Sequence, residues 1–119
     1  MELGSVDIEQ RRAARVYSNF SVQVRPFRNG FNPHIYHALS QDVSETGIKL
    51  NSFDFFSINA RLFMELLIAE HVVPVRSVGR VVWIERISYQ DRYKLGVDFS
   101  ELTSSDRHCL QHFILRGSL

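Results

Sequence analysis

Two short patterns hold the residues best suited to chemistry. Near the start, Arg11-Arg12-Ala13-Ala14-Arg15 has the form R-x-x-x-R. Further on, Asp42-Val43-Ser44-Glu45-Thr46-Gly47 has the form D-x-S-x-x-G, between two strand-like segments. An arginine fork is planar and always charged. It grips phosphate with two bonds, pairs with guanine O6/N7, or stacks on a base face. Beside a carboxylate, a hydroxyl and a glycine, such forks suit a ligand with both phosphates and guanine edges. Each pattern also has a plain reading: a solvated basic arm for the first, and an ordinary β-turn of Asp, Ser and Gly for the second. Elsewhere, His108 and His112 flank Cys109 at helical spacing. No third or fourth ligand is near in sequence, so no metal site is expected. Ser44 has no companion histidine in a recognisable motif, so no catalytic residue is assigned and no enzyme is expected.

The bulk composition narrows the partners. Net charge is +1 over 119 residues, which gives no global field for a nucleic-acid polymer. The basic residues are 12 Arg and 2 Lys, a skew toward fork-type recognition. The lone Cys109 excludes an internal disulfide and fits a reducing compartment. The first residues show neither a basic region nor an apolar stretch, so no signal peptide is expected. The longest apolar run, Leu62 to Ala69, is interrupted by Glu65 and is too short for a membrane span. These features point to a cytoplasmic protein.

The elements that must position the two patterns come from periodicity. Residues 1–10 are polar and acidic without a period and read as a mobile arm. Residues 11–115 read as a single domain and 116–119 as a tail. Phe20, Val22 and Val24 alternate with polar residues, giving a half-buried strand stopped at Pro26. Asn29-Gly30 and Asn32-Pro33 mark turns. Tyr36 to Val43 alternates again, with Leu39 and Val43 on one face, and Gly47 to Leu50 resumes after the turn. Arg61–Ile68, Val73–Ile87 and Tyr93–Phe99 read as three further strands, with Gly79 a bulge or close-packing point. Phe53, Phe55, Phe56 and Ile58 are expected to plug a barrel end, and Trp83 to pack in the core or rim. Thr103-Ser104-Ser105-Asp106 is a helix start, followed by an apolar stripe of Leu110, Phe113 and Ile114. Six short antiparallel strands followed by one helix predict a mainly β fold, a closed six-stranded antiparallel barrel with a C-terminal α-helix.

The ordered set of motifs resembles the PilZ family, bacterial receptor domains for cyclic di-GMP, over about residues 9–115. The likeness rests on Gln10 to Val16, Asp42 to Ile48, Gly79-Arg80-Val81-Val82-Trp83, Leu95-Gly96-Val97-Asp98-Phe99 and the closing helix. It implies a barrel of the same kind, with cyclic di-GMP as ligand and no cofactor. Arg11 and Arg15 would grip phosphates and a guanine Hoogsteen edge, and Arg12 would add a stacking face. Asp42 would accept from guanine N–H groups, and Ser44 would donate to phosphate or base. Gly47 would take a turn conformation that a Cβ disfavours. Trp83 is a further candidate at the mouth. The resemblance implies control of motility, biofilm formation or virulence through a separate protein effector. The alternative is a PilZ-like interaction scaffold that binds no nucleotide. Two finer expectations follow. Residues 1–15 would order on ligand, because the arginines have no obvious internal charge partner. Gln10, where many relatives have Arg, favours one ligand per chain rather than a stacked pair.

Overall fold

The computed structural model describes residues 14–27, 34–68, 73–87 and 89–117. Gln10, Arg11, Arg12, the arm over residues 1–10 and the turns at Asn29-Gly30 and Asn32-Pro33 lie outside the described residues. Where the sequence alternates, strands form: β2 (Ser21–Pro26), β3 (Tyr36–Val43), β4 (Gly47–Ser52), β5 (Arg61–Leu67), β6 (Val75–Ile87) and β7 (Arg92–Glu101). They pair antiparallel in the ring β3-β2-β5-β6-β7-β4, which closes through β3–β4. Closure satisfies every strand edge within the ring, as the six-strand reading requires. Helix α1 (Ser104–Gly117) follows the last strand.

One strand escapes the periodicity. β1 is only Val16–Tyr17, and it adds to β3 with Val16 opposite Val43 and Tyr17 opposite Asp42. Two residues cannot show an alternation, so no pattern announces it. Its anchor is Val16, buried in the core with Val43 and close to Gly117 at the end of α1.

The interior is lined by inward residues of every ring strand: Val22, Val24, Ala38, Val43, Ile48, Leu50, Leu62, Met64, Leu66, Val75, Val81, Leu95 and Val97. Thr103 caps α1: its hydroxyl accepts from the Asp106 amide at 3.1 Å and donates to the Asp106 carboxylate at 2.7 Å. The helix buries Leu110 and Ile114, and Phe113 meets Phe20 edge-on at 5.5 Å. The predicted stripe is therefore the packed face. A register shift falls between Val78 and Gly79, where β7 carries the extra residue Ser100, and a Cβ on Gly79 would meet Val97, Met64 and the Asp98 carbonyl. Gly79 is a close-packing point, and the bulge beside it belongs to β7.

Three packing expectations fail in whole or in part. Leu39 and Val43 do not share a face: Leu39 is exposed and Val43 is buried. The cause is a β-bulge between Ser40 and Asp42, which inserts Gln41 and reverses the alternation after it. Trp83 is outside the core, 37% exposed, for the same kind of reason. A second bulge between Val81 and Trp83 inserts Val82 and turns the indole outward. Of the aromatic loop, only Phe56 is buried; Phe53, Phe55 and Ile58 are exposed. Phe56 alone meets Tyr36 at the barrel end, while Phe53 lies under Arg92 on the outer surface.

Candidate functional site

Both bulges aim a polar or aromatic side chain at the same outer face. After Gln41, Asp42 points out of the barrel while its neighbour Val43 points in. The turn that follows closes with the Ser44 amide donating to the Gly47 carbonyl at 2.9 Å. That closure sets Val43 opposite Ile48 and Asp42 opposite Lys49. On the other edge of β3, the β1 register continued by one residue brings Arg15 against Ser44. The short strand β1 therefore decides where Arg15 sits.

Arg15 Nε donates to Asp42 Oδ1 at 2.6 Å, and Arg15 Nη1 donates to Ser44 Oγ at 3.3 Å. Lys49 Nζ lies 3.5 Å from Asp42 Oδ2, so the carboxylate is held from both sides. Its side chain is 14% exposed against 43% for Arg15, which places the acid deeper than the base. Arg15 thus has an internal charge partner, contrary to the expectation from sequence. The partner is distant along the chain but adjacent across strands. A carboxylate has about four acceptor positions, so Asp42 keeps acceptor capacity beyond these two bonds.

Ser44 is fully buried, and its hydroxyl faces the turn rather than solvent. It accepts from the Thr46 and Gly47 amides at 3.2 and 3.3 Å and contacts Thr46 Oγ1 at 3.0 Å. Gly47 has no left-handed backbone. The space beside its Cα is filled by β7: a Cβ would stand 2.5 Å from the Val97 carbonyl oxygen. The glycine permits close strand approach, where the turn reading looked for an unusual backbone angle. The turn is also tied to α1, since Gln111 Nε2 donates to Glu45 Oε1 at 2.8 Å.

Beyond Lys49 lies a pocket of about 260 Å³, lined in part by Arg15, Gly47, Lys49, Trp83, Gly96 and Asp98. Trp83 is directly opposite Gly96, and its indole occupies the space that a Gly96 side chain would need. Lys49 Nζ lies 5.8 Å from the ring centroid, a cation–π contact. The structure therefore gathers Arg15, Asp42, Ser44, Gly47 and Trp83 in one region; Arg11 and Arg12 lie outside the described residues. Sequence reasoning missed Lys49 and Asp98. Lys49 was legible in principle, because the closed turn fixes Asp42 opposite Lys49 and opposite charges favour such cross-strand pairs. Asp98 pairs with Gly47 across β4–β7, a long-range register that no local pattern gives. His108 and His112 are exposed on α1 and Cys109 is half-buried. Among the described residues no three metal-ligating side chains come together, and no helix is long and apolar enough to cross a membrane.

Comparison with known proteins agrees with this architecture. The inhibitor of motility MotI/DgrA of Bacillus subtilis superposes with a TM-score of 0.73 at 20% identity, covering 89% of this chain and 50% of that one. The PilZ domain of YcgR from Escherichia coli, solved with cyclic di-GMP, gives 0.67 at 12% identity and covers 92% of both chains. MrkH of K. pneumonia in its apo state gives 0.70 at 19% identity, covering 90% of this chain and 50% of that one. This chain thus spans about half the length of MotI and MrkH. A search of curated protein sequences gives no match. These identities establish the shared barrel alone. The sequence itself goes further, for the profile of the PilZ domain matches residues 9–116, from before the paired arginines to the end of the helix, and the chain belongs to that family.

Proposed function

We propose that this chain is a cyclic di-GMP receptor that binds the nucleotide on the outer face around Arg15, Asp42 and Trp83 and acts on a separate protein. The observation that carries the reading is the convergence of opposite charges at one aromatic-sided pocket. Arg15 and Lys49 supply two cations, Asp42 and Asp98 two carboxylates, and Trp83 a flat face. A bare polyphosphate is ill served by two carboxylates. Guanine is well served, because its N1–H and N2–H₂ edge donates to carboxylates while O6/N7 accepts from arginine. Phosphates then pair with the remaining N–H groups of Arg15 and with Arg11 and Arg12. The family supports the ligand class, as does the YcgR PilZ domain, solved with cyclic di-GMP.

In this reading Ser44 is a positioning residue: it fixes the turn and steers Arg15. Residues 11–115 form the binding unit in the cytoplasm, and the segment holding Arg11 and Arg12 closes over the ligand. Gln10 offers an amide where an arginine would offer a cationic stacking plane, so one nucleotide binds per chain. The nucleotide is held and not broken. Downstream, the bound surface engages an effector governing motility or biofilm formation, consistent with the description of MotI as an inhibitor of motility.

Isothermal titration of the purified chain with cyclic di-GMP, GTP and a short oligonucleotide tests this. Saturable heat with cyclic di-GMP alone, at one per chain and with nucleotide recovered intact, is the expected result. No saturation at high micromolar cyclic di-GMP refutes the receptor and leaves a nucleotide-free scaffold.

A further inference from the structure

The strand registers align five positions into a single row across the outer surface. Tyr17 of β1 is opposite Asp42 of β3, and Asp42 is opposite Lys49 of β4. Lys49 is opposite Gly96 of β7, and Gly96 is opposite Trp83 of β6. Inward neighbours confirm the facing: Val16, Val43, Ile48 and Val97 are buried beside the first four positions. The row therefore reads aromatic, acid, base, gap, aromatic. Trp83 fills the gap at Gly96, and Tyr17 stands at the other end with 91% of its surface exposed.

Single exposed aromatics are ordinary. Tyr17 differs by its place. It is next to the most buried charge of the site and at the far end of the row from the indole. β1 is anchored from below by Val16, so the phenol ring is presented from a fixed backbone, and it stacks on no other ring among the described residues. Four inter-strand intervals, about 19 Å along the sheet, separate the Tyr17 and Trp83 backbones, and the indole leans one interval toward Tyr17 because it lies over Gly96. A mononucleotide has one flat ring and reaches one end of such a row. A ligand with two purines joined by phosphates reaches toward both, its phosphates over Arg15 and Lys49.

We infer that Tyr17 is a second base-stacking residue, holding one purine of a dinucleotide while Trp83 holds the other. The inference rests on the receptor reading above and adds a contact residue and a ligand orientation to it. The test titrates the full chain, Tyr17→Ala, Tyr17→Phe and Tyr17→Leu with cyclic di-GMP by calorimetry, with melting curves for each. Tyr17→Ala and Tyr17→Leu should bind about five- to a hundredfold more weakly, the range of one base stacked on one ring. Tyr17→Phe should stay within about twofold of the parent, because it keeps the ring and loses only the hydroxyl. If Tyr17→Ala unfolds, Tyr17→Leu, which keeps apolar bulk at the site, bears the same expectation. A parent that binds, with Tyr17→Ala and Tyr17→Leu within about twofold of it, overturns the role of Tyr17 and leaves the receptor standing. A parent that does not bind overturns both.

Discussion

Replacing Gly47 with alanine should destabilise the protein, although alanine is the better residue in most extended or helical backbones. The added methyl would stand 2.5 Å from the Val97 carbonyl oxygen and 3.4 Å from Asp98 Cα. The nearer contact must open by about 0.9 Å to reach ordinary packing distance, and the obstacle is main chain of the neighbouring strand. A side chain could swing away; a paired strand cannot. The Gly47–Asp98 pair begins the β4–β7 ladder, and the Phe99 amide donates to the Thr46 carbonyl at 2.8 Å just beside it. Opening the contact strains both. Overpacking of this kind costs about 1–3 kcal/mol, and a backbone obstacle argues for the upper half. Alanine recovers about 0.4–1 kcal/mol by narrowing the unfolded ensemble. The net loss should be about 1–2 kcal/mol, a fall in Tm of roughly 3–10 °C for a domain of this size. Thermal and urea unfolding followed by circular dichroism measure it. A neutral or stabilised Gly47→Ala would refute the strand-approach account.

Further predictions concern the site and the core. Arg15→Ala should weaken cyclic di-GMP binding by about 2–4 kcal/mol and Asp42→Ala by about 1–3 kcal/mol. Arg15→Ala should lower stability by only about 1 kcal/mol, since that side chain is partly exposed; calorimetry and melting curves separate the two effects. Gly96→Ala should push the indole off its seat, red-shifting the fluorescence of the sole tryptophan for less than about 1 kcal/mol of stability, because a half-exposed ring can move. Unchanged emission would mean the indole is elsewhere. Leu110→Ala should cost about 2–5 kcal/mol, because Leu110 is fully buried beneath α1; a loss under 1 kcal/mol would detach the helix from the core.

The ring strands, the terminal helix and its cap were legible because each has a local signature: alternation for Val22 and Val24, helical spacing for Leu110 and Ile114, a hydroxyl at Thr103. What escaped was non-local. Gln41 and Val82 look like any other strand residue, yet each is the extra residue of a bulge, and a period of two carried past them assigns Leu39 and Trp83 to the wrong face. Those same bulges turn Asp42 and Trp83 outward, so the failures of periodicity coincide with the candidate site. The Arg15–Asp42 pair depends on β1, which is too short to read. Phe53 and Phe55 look like core by type, but their burial depends on where the loop crosses the barrel. Lys49 follows from the local closure of the turn, which pairs it with Asp42, whereas Asp98 depends on the long-range β4–β7 register.

The central claim is that this outer face takes up cyclic di-GMP. Proton–nitrogen chemical-shift mapping of the labelled chain, titrated with cyclic di-GMP, addresses ligand and location together. The single Trp83 indole N–H gives an isolated signal, and the Thr46, Gly47, Lys49 and Gly96 amides report the turn and the pocket. The account predicts saturable shifts at these positions, with little change at Phe53, Phe55 and Arg92 on the other exposed aromatic patch. Shifts confined to that patch, or none at high micromolar nucleotide, would contradict it.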